Sequence, residues 1–308
     1  MARDLLIRQL EYLVALAREE HFGRAARVCH ASQPALSTGI RKLEHDLGVT
    51  LVHHGRRFGG FTAEGRRVLG WAHRILAERE GMRIDLDRMR QGLAATLRIG
   101  AIPTAIPVTA LVTAPFVAQH PLTSVRLEEL PSTEIVQRLG DYTLDVGLTY
   151  LDGDPPAGTR AVPLYRERYL LLAPEGAVEG GRTEIGWAEA VDRPLCTLTR
   201  LMRNRRILEA AVANEGAVLR PRIEADSVAG VFSHVSSAGL SSIVAHTWLR
   251  TFGVPAGMSV TPLTVFASPA VGLVTAADDP LSLVASAVLD ALDVEALQRA
   301  LEPPRRAV

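Results

Sequence analysis

HFGRAARVCHASQPALSTGIRKLEHDLG, from His21 to Gly48, has the outline of two short helices set at an angle. Ala25, Ala26 and Val28 suit a compact first helix that sits close to a neighbour. Ser32 precedes the second as an N-cap, because its hydroxyl can accept an orphan backbone N–H of the first turn. Gln33 and Pro34 follow at the first helical positions, where a missing N–H costs nothing. Leu36, Ile40, Leu43 and Leu47 then recur at three- and four-residue spacing and make one apolar stripe. The opposite face carries Gln33, Ser37, Thr38, Arg41 and Lys42. A helix held by its stripe, with short polar and basic residues outward, suits the recognition helix of a helix-turn-helix. The same division also describes an amphipathic surface helix, so the flanks have to decide.

Upstream, RQLEYLVALAREEHF is another amphipathic helix, with Leu10, Leu13, Val14, Leu16 and Ala17 on its inner side. Downstream, LVHHGRRFGGFTAEG reads as two short strands with a basic, glycine-containing tip, a wing. LIRQLEYLVALAREEHFGRAA, ASQPALSTGIRKLEHDLGVTL and FTAEGRRVL share one register over more than about sixty residues. On these motifs the first ninety residues resemble the DNA-binding region of a LysR-type transcriptional regulator. The resemblance implies a winged helix-turn-helix over 1–62. Its DNA contacts would come from Ser32, Gln33, Pro34, Ser37, Thr38 and Arg41, with Arg56 and Arg57 at the wing tip meeting phosphate or the minor groove. Gln33 and Ser37 are the candidates for base edges, since glutamine pairs in a bidentate way with adenine. Arg41 reaches either a guanine or a phosphate. Gly23 stands where many family members have Ser or Thr, which leaves the cap of the first motif helix open.

Thr62 to Gln91 is one long helical stretch, opened by Thr62 with Glu64 in the first turn, where a negative charge suits the helix dipole. Val68, Trp71 or Ala72, Ile75, Met82, Leu86, Met89 and Leu93 form a seam, interrupted by Arg79. A lone helix of this kind is marginal, so the seam wants a partner. The resemblance makes 63–92 the linker helix that pairs two subunits; packing on the chain's own C-terminal domain is the other option.

From Thr96 strand and helix alternate: LRIGAIPTAIP, PVTALVTAPFVAQHP, SVRLEEL, STEIVQRLGDY and TLDVGLTY, then a similar second series through SSIVAH. Two more strands, VTPLTVFA and AVGLVTAA, lead to a last helix, PLSLVASAVLDALDVEALQRALE. Such alternation signals a parallel, doubly wound sheet. The expected architecture is therefore α/β: an N-terminal all-α winged helix-turn-helix, a long linker helix, and a two-lobed doubly wound α/β domain over 93–308. Lobe I would hold about 93–163 and 267–308, and lobe II about 164–266. This arrangement resembles the periplasmic-binding-protein-like effector domain of the same family. Such clefts bind small molecules where strands end and helices begin. Thr104, Ser132, Thr133, Thr149, Thr199, Asn204 and Ser227 are the candidates, although each hydroxyl taken singly is equally an ordinary helix cap. Arg203, Arg205 and Arg206 beside them favour a small anion, or pair with Glu209.

Composition excludes other classes. The 308 residues carry zero net charge. The first 91 nevertheless hold 16 Arg and Lys against 11 Asp and Glu, so the positive excess lies where DNA would be met. No apolar run reaches the length of a membrane span, and the N-terminus has no signal-peptide core. Cys29 and Cys196 are far apart without a C-x-x-C, which argues for a reduced, cytoplasmic chain with neither disulfide nor structural zinc. Cys196, in the apolar stretch RPLCTL, reads as a buried structural thiol. Lys42 is the sole lysine, and no phosphate-binding loop, H-E-x-x-H or G-x-S-x-G occurs. His234 and His246 have no metal-ligand spacing. The expectation is a non-enzymatic regulator without cofactor or metal. Its partners would be double-stranded DNA, a small-molecule effector, a second copy through the linker helix toward a homotetramer, and RNA polymerase. The alternative is a small-molecule-binding protein whose N-terminal region mainly dimerises.

Overall fold

A computed structural model describes residues 7–53, 58–151, 156–179, 182–264, 268–278 and 281–302. The chain divides into two compact units, the first running essentially to Leu93 and the second from Ala94.

The first unit packs α1 (Ile7–Glu19), α2 (Phe22–Val28) and α3 (Gln33–Leu47) against the start of α4 (Ala63–Gln91). The stripe read from the sequence is its core: Leu36, Ile40 and Leu43 meet Leu10, Leu13, Leu16, Ala25 and Ala26, all buried. Each buried leucine contributes about 2 kcal/mol relative to exposure. The stripe ends one turn early, because Leu47 is exposed at the C-terminus of α3. The open cap of α2 is supplied by a ring: His21 Nδ1 accepts from the backbone N–H of Gly23 and of Arg24, at 3.0 and 3.3 Å. The α3 cap is as expected, with the Ala35 N–H donating to Ser32 Oγ at 3.3 Å, and Gly48 closes the helix in the left-handed region at φ 72°. Among the described residues the wing is paired by one antiparallel bridge, Val52 to Phe61, rather than by two strands.

The seam of α4 splits. Ala72 is buried, and Val68, Leu69, Ile75 and Leu76 pack on the core of the first unit. Trp71, Met82 and Leu86 are instead 60%, 62% and 54% exposed.

The second unit has two lobes. Lobe I holds β1 (Thr96–Ala101), α5 (Ile106–Gln119), β2 (Ser124–Glu129), α6 (Ser132–Gly140), β3 (Val146–Leu151) and β4 (Thr159–Arg166), and later β10 (Ala270–Ala276), α11 (Leu283–Ala291) and α12 (Val294–Leu301). Its sheet runs β2-β1-β3-β10-β4. β1, β2 and β3 are parallel, with Ile99 opposite Leu127 and Val146, whereas β10 is antiparallel to β3 and β4. The parallel expectation holds for the strands joined by helical crossovers; β4 and β10 are the strands by which the chain leaves for lobe II and returns.

Lobe II comprises β5 (Tyr169–Pro174), α7 (Trp187–Val191), β6 (Cys196–Leu198), α8 (Arg203–Asn214), β7 (Ile223–Ala225), α9 (Val228–Ala238), β8 (Ser242–Ala245), α10 (His246–Phe252) and β9 (Met258–Pro262). β8-β5-β9 is antiparallel and β6-β7 parallel, and a bridge from Leu195 to Ser241 lies between the two sheets. Leu171, Trp187, Cys196, Leu208, Val231, Val235 and Trp248 fill the core.

Three features depart from the sequence reading. The last helix is two, because Leu292 is extended and Asp293 restarts the chain by accepting from the Ala296 N–H at 2.8 Å. β4 contains Pro163 and so does not read as a strand, but it is paired to β10 on one side only, where a missing N–H is tolerated. α7 and α10, of 5 and 7 residues, are too short for helical periodicity to show.

Candidate DNA-reading face and ligand cleft

In the first unit, α3 turns its stripe inward and leaves Ser32, Gln33, Pro34, Thr38, Arg41 and Lys42 exposed, with Ser37 half-buried. The Ser32 hydroxyl is engaged in the cap, so it positions the first turn. The helix is tied to the segment after it. Glu44 Oε1 accepts from the N–H groups of Leu51 and Val52 at 2.8 and 3.2 Å, which orients the chain as it enters the wing. Phe58 packs edge-on to both Phe22 and Phe61, with ring centroids 6.3 and 5.2 Å apart. Arg56 and Arg57 lie outside the described residues.

In the second unit, three of the seven candidate ligand residues converge. Thr104, in the 3-10 turn after β1, Ser132 at the start of α6 and Asn204 in the first turn of α8 line one narrow groove with Tyr150, Met202 and Arg203. The groove is tight: its walls leave no room for a water-sized sphere, so a ligand would have to part them. The other four do not line it. Thr149 is next to Tyr150 in β3, so its side chain points to the opposite face of the sheet. Thr133 is one step round α6 from Ser132 and is exposed. Ser227 is occupied as the cap of α9, accepting from the Gly230 N–H at 3.3 Å. Thr199 stands before α8, and its hydroxyl is buried without a partner.

The arginines separate in the same way. Arg205 is buried and donates to Glu224 at 2.7 Å and to Thr197 at 2.8 Å, with Glu209 at 3.1 Å, so it is a structural cation. Arg206 is exposed. Arg203 is the one at the groove, its guanidinium 5.4 Å from the centroid of the Tyr150 ring. Tyr150, within β3, and Met202, an apolar residue at the N-cap of α8, carry no hydroxyl or charge at a helix start that would mark them in the sequence.

The groove is poor in satisfied polar atoms. Asn204 is 3% exposed, and neither its Oδ1 nor its Nδ2 has a partner; the Ser132 Oγ is likewise buried and unpartnered. Met202, at the N-cap of α8, offers that helix no side-chain cap. Buried polar groups normally find partners, and an uncapped helix N-terminus beside a guanidinium favours a negative one. The unpartnered polar atoms and the guanidinium are chemically suited to a compact anion.

Neither thiol is poised for chemistry. Cys196 is fully buried in β6 and Cys29 partly buried in the other unit, and burial pushes both thiols up, away from the reactive thiolate. Among the described residues no group of three or more His, Cys, Asp or Glu is arranged to hold a metal, and no helix is long and apolar enough to cross a membrane.

Comparison with known proteins places these features in a lineage. Residues 7–66 match the bacterial regulatory helix-turn-helix protein, lysR family, and residues 90–296 match the LysR substrate binding domain. The DNA-binding transcriptional dual regulator OxyR of Escherichia coli K12 is 34% identical over 193 residues, 62% of this chain and 63% of that protein. The hydrogen peroxide-inducible genes activator of Haemophilus influenzae is 34% identical over 170 residues, 55% of this chain and 56% of that protein. The chain thus spans a little over half to just under two thirds of the length of these curated relatives. A solved full-length OxyR variant from Pseudomonas aeruginosa superimposes with a TM-score of 0.74 over 99% of both chains at 24% identity, a likeness of fold.

Proposed function

The chain belongs to the LysR family of bacterial transcriptional regulators, a family of regulators rather than enzymes, and from that premise we propose that it is a sequence-specific DNA-binding regulator whose hold on its operator responds to a small anion in the cleft of its second unit. The observation that carries the DNA half is the exposed row Gln33, Thr38 and Arg41 on a helix whose other face is the core of its domain. Ser32 and Pro34 set the first turn, and Ser37 stands beside the row; Arg56 and Arg57 would add contacts to phosphate or the minor groove. In this reading 1–62 is the DNA-binding domain, 63–92 the linker and 93–308 the effector domain.

The exposed Trp71, Met82 and Leu86 of α4 support a dimer through that helix. A homotetramer, contact with RNA polymerase and a cytoplasmic location follow the family pattern. Differential affinity of the anion for two arrangements of the assembly would shift their populations. The relatives named for hydrogen peroxide invite a thiol switch here too. One buried and one partly buried thiol in separate units, and an arginine at the groove, support reversible anion binding instead.

The test is a footprint of the full-length protein on its own upstream DNA, across a salt series, with and without small carboxylates and inorganic phosphate. Affinity should fall steeply with salt. Gln33→Ala and Arg41→Ala should each weaken specific binding by about 10- to 100-fold. If both leave affinity and sequence preference intact, α3 is not the reading helix, and a small-molecule-binding protein that only dimerises through its N-terminal region becomes the better account. Arg203→Ala should raise the anion concentration needed for a half-maximal shift by at least about tenfold. An unchanged anion response would remove Arg203 from the site.

A further inference from the structure

Glu167 is the only fully buried carboxyl among the described residues, and its place is unusual. It sits in the two-residue link between β4 and β5, where the chain passes from lobe I to lobe II. The Tyr150 hydroxyl, from β3 of lobe I, donates to Glu167 Oε2 at 2.7 Å. The Tyr169 hydroxyl, from β5 of lobe II, donates to the same oxygen at 2.6 Å. Thr104 Oγ1 is 3.1 Å from the Tyr150 hydroxyl. With the Tyr150 proton directed at Glu167, Thr104 is the donor of that pair. A second bond crosses between the lobes beside it, from the Thr247 hydroxyl of α10 to the Thr104 carbonyl at 2.7 Å. Tyr150 and Thr104 both line the groove.

We propose that Glu167 is a positioning residue, a carboxyl latch that ties the two lobes together and sets the aim of Tyr150 and Thr104 at the cleft wall. Its bearing on ligand response rests on the cleft reading above; the latch itself rests on the hydrogen bonds.

No ion pair to Glu167 occurs among the described residues, and its Oε1 accepts from nothing. The phenols around it, Tyr150, Tyr165 and Tyr169, are all pushed well up, first by burial and then by the Glu167 charge. His246, edge-on to Tyr165 at 5.9 Å, is pushed down to about 4 by burial and by Arg168, so it is neutral at neutral pH. Arg203 lies over the Tyr150 ring, 5.4 Å from its centroid. Burial accordingly raises the Glu167 carboxyl itself.

The folded chain therefore holds a proton that the unfolded chain releases in the ordinary carboxyl range. The stability this lends is complete below that range and is lost as pH rises through the raised folded value. As pH rises above the ordinary carboxyl range, the wild type's resistance to urea should weaken more steeply than that of Glu167→Gln, whose amide cannot ionise. The glutamine oxygen still accepts from both phenols, so amide exchange at 102–105 and 169–172 should stay at the wild-type rate. Glu167→Ala should speed exchange in both segments by about tenfold or more. Tyr150→Phe and Tyr169→Phe each remove one of the two bonds and serve where the alanine variant does not fold.

Wild-type exchange in Glu167→Ala and both phenylalanine variants, or a Glu167→Gln variant that keeps the wild-type pH slope, overturns the latch. If the exchange and pH differences hold while no carboxylate or phosphate alters the footprint, the latch stands and the anion reading of the cleft falls.

Discussion

Gly65→Ala should destabilise the first unit by about 3 kcal/mol, although alanine is the better helix former. Gly65 lies in the first turn of α4, where the Leu51 carbonyl oxygen presses against the helix. A methyl group there would overlap that oxygen, and the obstacle is backbone rather than a side chain that can swing aside. The carbonyl is held from several sides. It accepts from the Thr62 N–H at 3.0 Å, while Glu44 takes the N–H groups of Leu51 and Val52. Thr62 Oγ1 accepts from the Gly65 N–H at 2.9 Å and donates to the Thr50 carbonyl at 2.7 Å. Relief of the overlap must break this set, and its cost exceeds the roughly 1 kcal/mol that alanine gains in helix propensity. Hydrogen exchange of the α3 amides in the full-length protein is the measurement, with faster exchange and weaker DNA binding expected together. Exchange unchanged from the wild type would mean that α4 can pivot away at no cost.

The second large effect is expected at Arg205. Arg205→Ala should cost lobe II about 3 kcal/mol, read as a shifted urea midpoint. The side chain is 2% exposed and threads from α8 to β6 and β7, meeting Thr197, the Leu198 carbonyl, Glu209 and Glu224. Not all of this is ion pairing, because the Glu224 side chain is 45% exposed and keeps much of its water. The larger share is the volume that the buried stem and guanidinium fill. Arg205→Met, which keeps the stem, should therefore recover more than half of the loss. Equal losses in the two variants would show that the charges dominate.

Both effects bear on how far a sequence can be read. FTAEGRRVL marks Gly65 as part of a pattern, but only the fold shows a carbonyl pressing on it. Among three neighbouring arginines, spacing alone could not tell the buried cation from the groove residue. That choice follows from the phase of α8, which turns Arg205 toward β6 and β7 and Arg203 toward Tyr150.

What the sequence determined by itself was local. A cap needs a hydroxyl within a turn, a stripe needs apolar residues three and four apart, and a crossover needs strand and helix in alternation. α3, most of the α/β order and the three hydroxyl or amide residues at the groove were legible for that reason. Tertiary structure decided what depends on contacts between distant segments. Strand parity sends Thr149 away from the groove that Tyr150 lines. The core of the first unit absorbs one half of the α4 seam and leaves Trp71, Met82 and Leu86 exposed. Glu167 is an ordinary acid in a short link until two tyrosines from opposite lobes close on one of its oxygens. Burial and hydrogen-bond partners are properties of the packed chain, and no spacing in the sequence encodes them.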